Sequence, residues 1–295
     1  MQELKLQAHA KINLGLDVLR RRPDGYHDLR MIMQTVNVFD EITLKRVREP
    51  GIRLTTNVPD LPVDSKNLAY RAAALLQEAF PQGAGVLIDI QKTIPMAAGL
   101  AGGSSDAAAV LLGLNRLFDL GLSQKELMVR GKTLGADVPF CILGGTALAE
   151  GIGEILTPLS APPALHVLLA KPPVQVSTKY VYTNVRLDAN TRHPDIDGQI
   201  AALLAGDPKG LCACMGNLLE SVTIPVCPAI DEIKEVMRVH GCAGCLMSGS
   251  GPTVFGLFSA EEAAQAAADA IREAALANEI FVTEFYPGAG AAHDE

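Results

Sequence analysis

The chain has 295 residues, 48% hydrophobic and 20% charged, enough to bury one large core or two ordinary ones, so a disordered or fibrous polymer is excluded. A net charge of −8, with Lys and Arg scattered apart from the run Arg20-Arg21-Arg22, argues against a nucleic-acid surface and for a small-molecule ligand. No apolar stretch approaches the ~20 residues that span a bilayer, and the N-terminus MQELKLQAHAKINL has no apolar secretory core, so a cytoplasmic protein without membrane contact is expected.

Residues 4–18, 30–47 and 51–56 are β-rich, partly alternating runs that predict strands. An amphipathic helix follows over Asn67–Phe80, then a strand over Val86–Ile90. A Gly-rich loop opens a helix predicted over Ser104–Phe118, and a second helix, Ser123–Leu134, starts with Ser123 as N-cap and Glu126 at N3, a capping box. GADVPF reads as a turn and Gly144–Ala149 as a strand. The Pro-containing stretch TPLSAPPA, 157–164, is the linker candidate, dividing the chain into domains 1–160 and 161–295. Beyond it come a strand in HVLLAKPP, a short helix in VSTKYVYTNV, a helix over Pro228–His240, a strand over 253–258, an Ala-rich helix over Glu261–Ala277 and a strand over Ile280–Tyr286. The tail GAGAAHDE reads as disordered. Helices after strands in both halves, with no fixed-period repeat, indicate an α+β protein of two domains.

Six cysteines, Cys141, Cys212, Cys214, Cys227, Cys242 and Cys245, include a CxC and a CxxC. No second CxxC or suitably spaced His pair completes a four-ligand zinc set, so they read as small apolar side chains in a reducing compartment.

The stretch 95–108, PMAAGLAGGSSDAA, has the composition of a phosphate loop feeding a helix. Gly99, Gly102 and Gly103 let backbone N–H groups approach phosphate oxygens; Ser104 and Ser105 supply hydroxyls, and Asp106 suits the positive helix end. No Lys-Ser/Thr closes the loop as in a Walker motif, and the spacing is not GxGxxG. Alone, the same composition would serve a tight turn that packs a helix on a sheet. Lys11 and Asn13 alternate on one strand and share a face, which suits either a ligand or the wet side of an edge strand. Pro23-Asp24-Gly25 is a turn presenting Tyr26 and His27, where Tyr could stack on a base and His hydrogen-bond its edge. Asp137, between a tight turn and Pro139, is a candidate proton acceptor or a local cap, and paired with Lys11 it would suit phosphoryl transfer. Met247-Ser248-Gly249-Ser250-Gly251-Pro252 is a second Gly-rich turn.

Taken in order, AKINL…GYHDL, PMAAGLAGGSSDAA, GADVPF and LMSGSGPTVFG resemble the GHMP superfamily of galactokinase, homoserine kinase, mevalonate kinase and phosphomevalonate kinase over nearly the whole chain. RRPDGYHDL and GADVPFCILGGTALAEGIGE are most similar to its branch acting on 4-diphosphocytidyl-2-C-methyl-D-erythritol in non-mevalonate isoprenoid synthesis. The resemblance implies a two-domain fold, ribosomal-S5-like at the N-terminus and ferredoxin-like at the C-terminus, with the active site between the domains. It further implies that ATP phosphorylates the 2-hydroxyl of the methylerythritol unit, with Mg²⁺ as charge partner and ligands not assigned. By motif, Asp137 would be base or orienting group and Lys11 its charge partner. Asn13 and Thr178 would hold the substrate, Tyr26 and His27 would bind the cytosine, and Tyr182 would stack on it. Pro95, Gly99, Gly102, Gly103, Ser104 and Ser105 would surround the ATP phosphates, with Asn67 and Lys92 toward the adenosine. A monomer or weak homodimer is expected. Two alternatives remain open: a sister kinase acting on mevalonate or homoserine, and a non-catalytic nucleotide-binding module.

Overall fold

The structure, a computed structural model, describes residues 2–288; most of the tail read as disordered lies outside the described residues. Two compact units interleave along the chain: Met1–Ala10, Val38–Met96 and Ala101–Leu143 form one, and Lys11–Asn37, Ala97–Leu100 and Gly144–Glu295 the other. Two long strands, β1 (Glu3–Arg21) and β2 (His27–Val47), contribute residues to both.

In the first unit, β3 (Gly51–Thr56) is followed by α1 (Leu68–Leu76), β4 (Gly85–Gln91), α2 (Gly102–Leu117), α3 (Gln124–Lys132) and α4 (Val138–Leu143). β4 pairs antiparallel with β2, Ile42 opposite Ile90, and parallel with β3. Ile42, Leu44, Val86, Ile88 and Ile90 from the sheet bury themselves with Ala72 and Ala73 of α1 and Val110, Leu111 and Leu114 of α2. Small residues on α1 and α2 let the helices approach closely, and burial of this kind contributes roughly 25 cal/mol per Å² of apolar surface. The Ser123–Glu126 capping box forms as its spacing predicts. GADVPF is not simply a turn: α4 starts at Val138, and Pro139 is tolerated because the first helical turn needs no N–H donor there.

The second unit continues with β5 (Thr146–Gly151), β6 (Ile155–Pro158), β7 (His166–Lys171), α5 (Thr178–Asn184), α6 (Ile196–Ala205), α7 (Pro208–Ala213), α8 (Glu220–Thr223) and α9 (Ala229–Val239). It ends with β8 (Gly244–Met247), β9 (Val254–Phe258), α10 (Glu261–Glu273) and β10 (Glu279–Glu284). β5 pairs antiparallel with the Leu29–Gln34 segment of β2 and with β6. The other sheet has the order β10-β7-β9-β8, antiparallel throughout. Counted as strands one to four the order is 4-1-3-2, with helices after the first and third, the ferredoxin-like βαββαβ pattern. α9 and α10 pack on this sheet, burying Ile230, Ile233, Met237, Ala267 and Ile271.

Candidate active site

The Gly-rich segment reaches α2 through backbone conformations that side chains resist. Gly99 has φ +76°, and a Cβ there would lie 2.1 Å from the Ser248 carbonyl oxygen, so only glycine fits. Ala97 and Ala101 also adopt positive φ, 51° and 58°, at a cost of roughly 1–2 kcal/mol each for a residue with a Cβ. α2 begins at Gly102, two residues earlier than its pattern predicts, which leaves the N–H groups of Gly102, Gly103 and Ser104 without intrahelical partners. A Cβ on Gly103 would meet nothing nearer than 3.7 Å, so the backbone there is open to a ligand. Together with the helix dipole these N–H groups can bind an anion.

The side chains of Ser105, expected at the phosphates, and of Asp106, expected at the helix end, both have partners elsewhere. Ser105 is buried, and its hydroxyl donates to the His9 carbonyl at 2.6 Å, anchoring α2 to β1. Asp106 lies in the second turn, beyond the reach of the helix-end dipole, and accepts from Lys92 Nζ at 2.8 Å. Lys92 also pairs with Asp40, whose other oxygen accepts the N–H groups of Thr93 and Ile94 at 2.6 and 2.8 Å. The segment running into the Gly-rich loop is therefore tied to β2 by one carboxylate. Two acids share one base here, and Asp106 Oδ1 has no hydrogen-bond partner. Burial pushes the Asp106 carboxyl up to about 7; Lys92 opposes this rise and Asp40 adds to it.

Asn67, expected toward the adenosine, is the N-cap of α1: its Oδ1 accepts from Ala69 N–H at 2.9 Å and its Nδ2 donates to the Pro62 carbonyl at 2.8 Å. Lys92 and Asn67 thus hold the framework of the first unit. Pro95 is buried, and Asp137 is half-buried immediately before α4, its carbonyl accepting from Cys141 N–H.

The second unit gathers the residues expected to hold the acceptor. Lys11 and Asn13 are buried on one face of β1, with Lys11 Nζ donating to Asn13 Oδ1 at 2.8 Å. The Ser248–Gly251 loop lies beside them: a Cβ on Gly249 would be 3.5 Å from both Lys11 Nζ and Asn13 Oδ1. On α5, Thr178 and Tyr182 are four residues apart and so share a face. Thr178 Oγ1 meets Ser250 Oγ at 2.9 Å, and the Tyr182 ring lies 5.6 Å from that of His27. These rings are close enough to interact already, so a base entering between them must part them. Burial, aided by Arg21, lowers the His27 pKa and favours a neutral imidazole, which can donate or accept. Tyr26 is 60% exposed at the hairpin tip.

Comparison with known proteins gives the family. Residues 67–145 match the family described as GHMP kinases N terminal domain and 199–277 that described as GHMP kinases C terminal. A 4-diphosphocytidyl-2-C-methyl-D-erythritol kinase from Lachnospira eligens is 50% identical over 97% of this chain and 99% of its own. The chain belongs to the GHMP kinase family. A crystal structure of a 4-(cytidine 5'-diphospho)-2C-methyl-D-erythritol kinase superposes on this GHMP kinase with TM-score 0.82 at 37% identity, covering 97% of this chain and 100% of that one. A homoserine kinase from Cytophaga hutchinsonii superposes with TM-score 0.81, covering 97% of this chain and 96% of its own, but at 23% identity shares the fold alone. The family uses ATP as phosphoryl donor, and the open N–H groups at the start of α2 suit its phosphates.

One feature of this GHMP kinase escapes motif reading: Asn217, between two helices, donates to the carbonyls of Met247 and Gly249 in the second Gly-rich turn, whose Ser250 meets Thr178. All six cysteines are free thiols; Cys227 alone is buried and the others are half-buried, Cys245 on the edge strand β8. Among the described residues no group of three or more His, Cys, Asp or Glu side chains could hold a metal, and no helix is long and apolar enough to cross a membrane.

Proposed function

We propose that this kinase transfers the γ-phosphoryl group of ATP to the 2-hydroxyl of 4-diphosphocytidyl-2-C-methyl-D-erythritol. The observation that carries this reading is half-identity, across nearly the whole chain, to a relative named for that reaction. The second unit supports it with a polar end at Lys11 and Asn13 and an aromatic end at His27 and Tyr182. A small acceptor such as mevalonate or homoserine would have no use for the aromatic end.

In this mechanism the acceptor oxygen forms a bond to the γ-phosphorus while the bond to the β-phosphate oxygen breaks, and ADP leaves. Asp137 orients the hydroxyl and receives its proton; Lys11 balances charge on Asp137 and on the transferring group. The N–H groups of Gly102, Gly103 and Ser104 hold the phosphates, with Gly99 shaping the loop. Asn13 and Thr178 hold the methylerythritol unit, and Tyr26, His27 and Tyr182 the cytosine. Mg²⁺ is proposed only as the counter-ion that ATP carries, bound mainly by phosphate oxygens.

The test is ADP release with ATP and Mg²⁺ in the presence of the cytidyl alcohol, mevalonate, homoserine or no acceptor. Turnover confined to the cytidyl alcohol is expected. Turnover with mevalonate or homoserine instead would replace the acceptor, and none with any acceptor would favour a nucleotide-binding module.

A further inference from the structure

Three side chains spaced three residues apart, Asn217, Glu220 and Thr223, converge on the loop that lies beside Lys11. Asn217 is buried, and its Nδ2 donates to the Met247 and Gly249 carbonyls, both at 2.8 Å. Its Oδ1 accepts from Leu219 N–H at 2.9 Å, which fixes the orientation of the amide. Glu220 Oε1 accepts from Met247 N–H at 2.8 Å, and both its oxygens engage Lys234 Nζ, at 2.9 and 2.8 Å. Thr223, fully buried, donates to the Ser250 carbonyl at 3.3 Å. Four backbone groups between Met247 and Ser250 are therefore held by one short segment.

The same segment is stitched to β1. Leu16 N–H donates to the Gly216 carbonyl at 2.9 Å, and Leu218 N–H donates to the Leu16 carbonyl at 3.0 Å. So the strand carrying Lys11 and Asn13 and the loop carrying Gly249 and Ser250 take their spacing from a common support. The loop has its own reason to need one. Gly249 and Gly251 have φ +57° and +82°, conformations that a free Gly-rich segment visits among many others. Without outside bonds it would lose the arrangement that sets Gly249 against Lys11 and Ser250 against Thr178.

We propose that Asn217, Glu220 and Thr223 are positioning residues for phosphoryl transfer: they touch no substrate, but hold the Ser248–Gly251 loop in register with Lys11 and Asn13. This rests on the acceptor reading given above. It goes beyond stability because misplacement of catalytic groups by about 1 Å can cost around 100-fold in rate.

Asn217→Asp, Thr223→Val and Thr223→Ser test it through two measurements, amide hydrogen exchange of the 245–253 segment and steady-state kinetics under conditions where each variant is folded. Asn217→Asp is near-isosteric but replaces both donors with a carboxylate facing two carbonyls. Its exchange should accelerate, and its kcat should fall by about two orders of magnitude with KM values nearly unchanged. Thr223→Val should show a smaller effect of the same kind, and Thr223→Ser, which keeps the hydroxyl, should restore wild-type behaviour. Should Asn217→Asp not fold, the Thr223 pair still decides. Unchanged exchange in Asn217→Asp or Thr223→Val overturns the proposal. So does faster exchange with wild-type kcat, which would mark a merely structural clamp. Wild-type turnover with mevalonate or homoserine in place of the cytidyl alcohol would overturn the acceptor reading alone, and the same exchange and kcat comparison, run with that acceptor, would still decide the positioning proposal.

Discussion

Behind the phosphate loop the first unit buries Asp40, Lys92 and Asp106, two acids against one base. Behind the Ser248–Gly251 loop the second unit uses the Asn217 amide, the Thr223 hydroxyl and a Glu220 carboxylate balanced by Lys234. The first device holds the peptide groups of Thr93 and Ile94, just ahead of the Gly-rich loop, through Asp40, and the second holds peptide groups of its loop directly. The difference teaches that the approach to one loop is held by an ionic arrangement that responds to protons, while the other loop is held by hydrogen bonds that do not depend on two acids sharing one base.

The largest effect that separates the two should come from Lys92→Met. It leaves two buried carboxylates without a cation, at a cost of about 3–5 kcal/mol in denaturant unfolding. A loss below about 1 kcal/mol would mean that the carboxylates take up protons and the lysine is dispensable. Next comes pH. The folded-state pKa of Asp106 lies above its ordinary value, so its neutral form is the one folding favours. Its contribution to stability is present below the ordinary carboxylate range and is lost as pH rises through about 7. Asp106→Asn should remove this decline, measured as unfolding free energy between pH 5 and about 8; an unchanged slope would place the titrating group elsewhere.

The difference between the nucleotide and acceptor sides should also appear in kinetics. His27→Ala is expected to raise KM for the cytidyl alcohol about tenfold while leaving KM for ATP near wild type. Equal changes in both would remove His27 from base recognition. The smallest effect belongs to Ala101→Gly. Relief of a left-handed alanine and the added flexibility of glycine nearly cancel, so stability should stay within about 1 kcal/mol of wild type. A larger loss would show that the Ala101 methyl packs usefully.

What could be read from sequence was what neighbouring residues decide. The alternation of Lys11 and Asn13 and the capping box at Ser123 and Glu126 are local signals that form as their spacing implies, while the glycine run marks the start of α2 to within two residues. The Ser105 hydroxyl has a partner that no local pattern announces, since His9, whose carbonyl accepts it, is 96 residues away. Asp40 and Lys92 are separated by 52 residues, and Asn217 and Gly249 by 32, so no local pattern announces either device. The three-residue spacing of Asn217, Glu220 and Thr223 did offer a sign that one face of that segment is polar and shared. α4 was hidden by Pro139, which reads as a turn signal unless Asp137 is recognised as the residue ahead of a helix.

Asp137→Asn tests most directly the claim that transfer to the acceptor runs through the Asp137 carboxylate. With kcat measured by ADP release and ATP affinity by direct titration, the variant should lose about two to four orders of magnitude in kcat while binding ATP as wild type does. Near-normal kcat would contradict the claim, and the transfer would then need another residue to receive the proton.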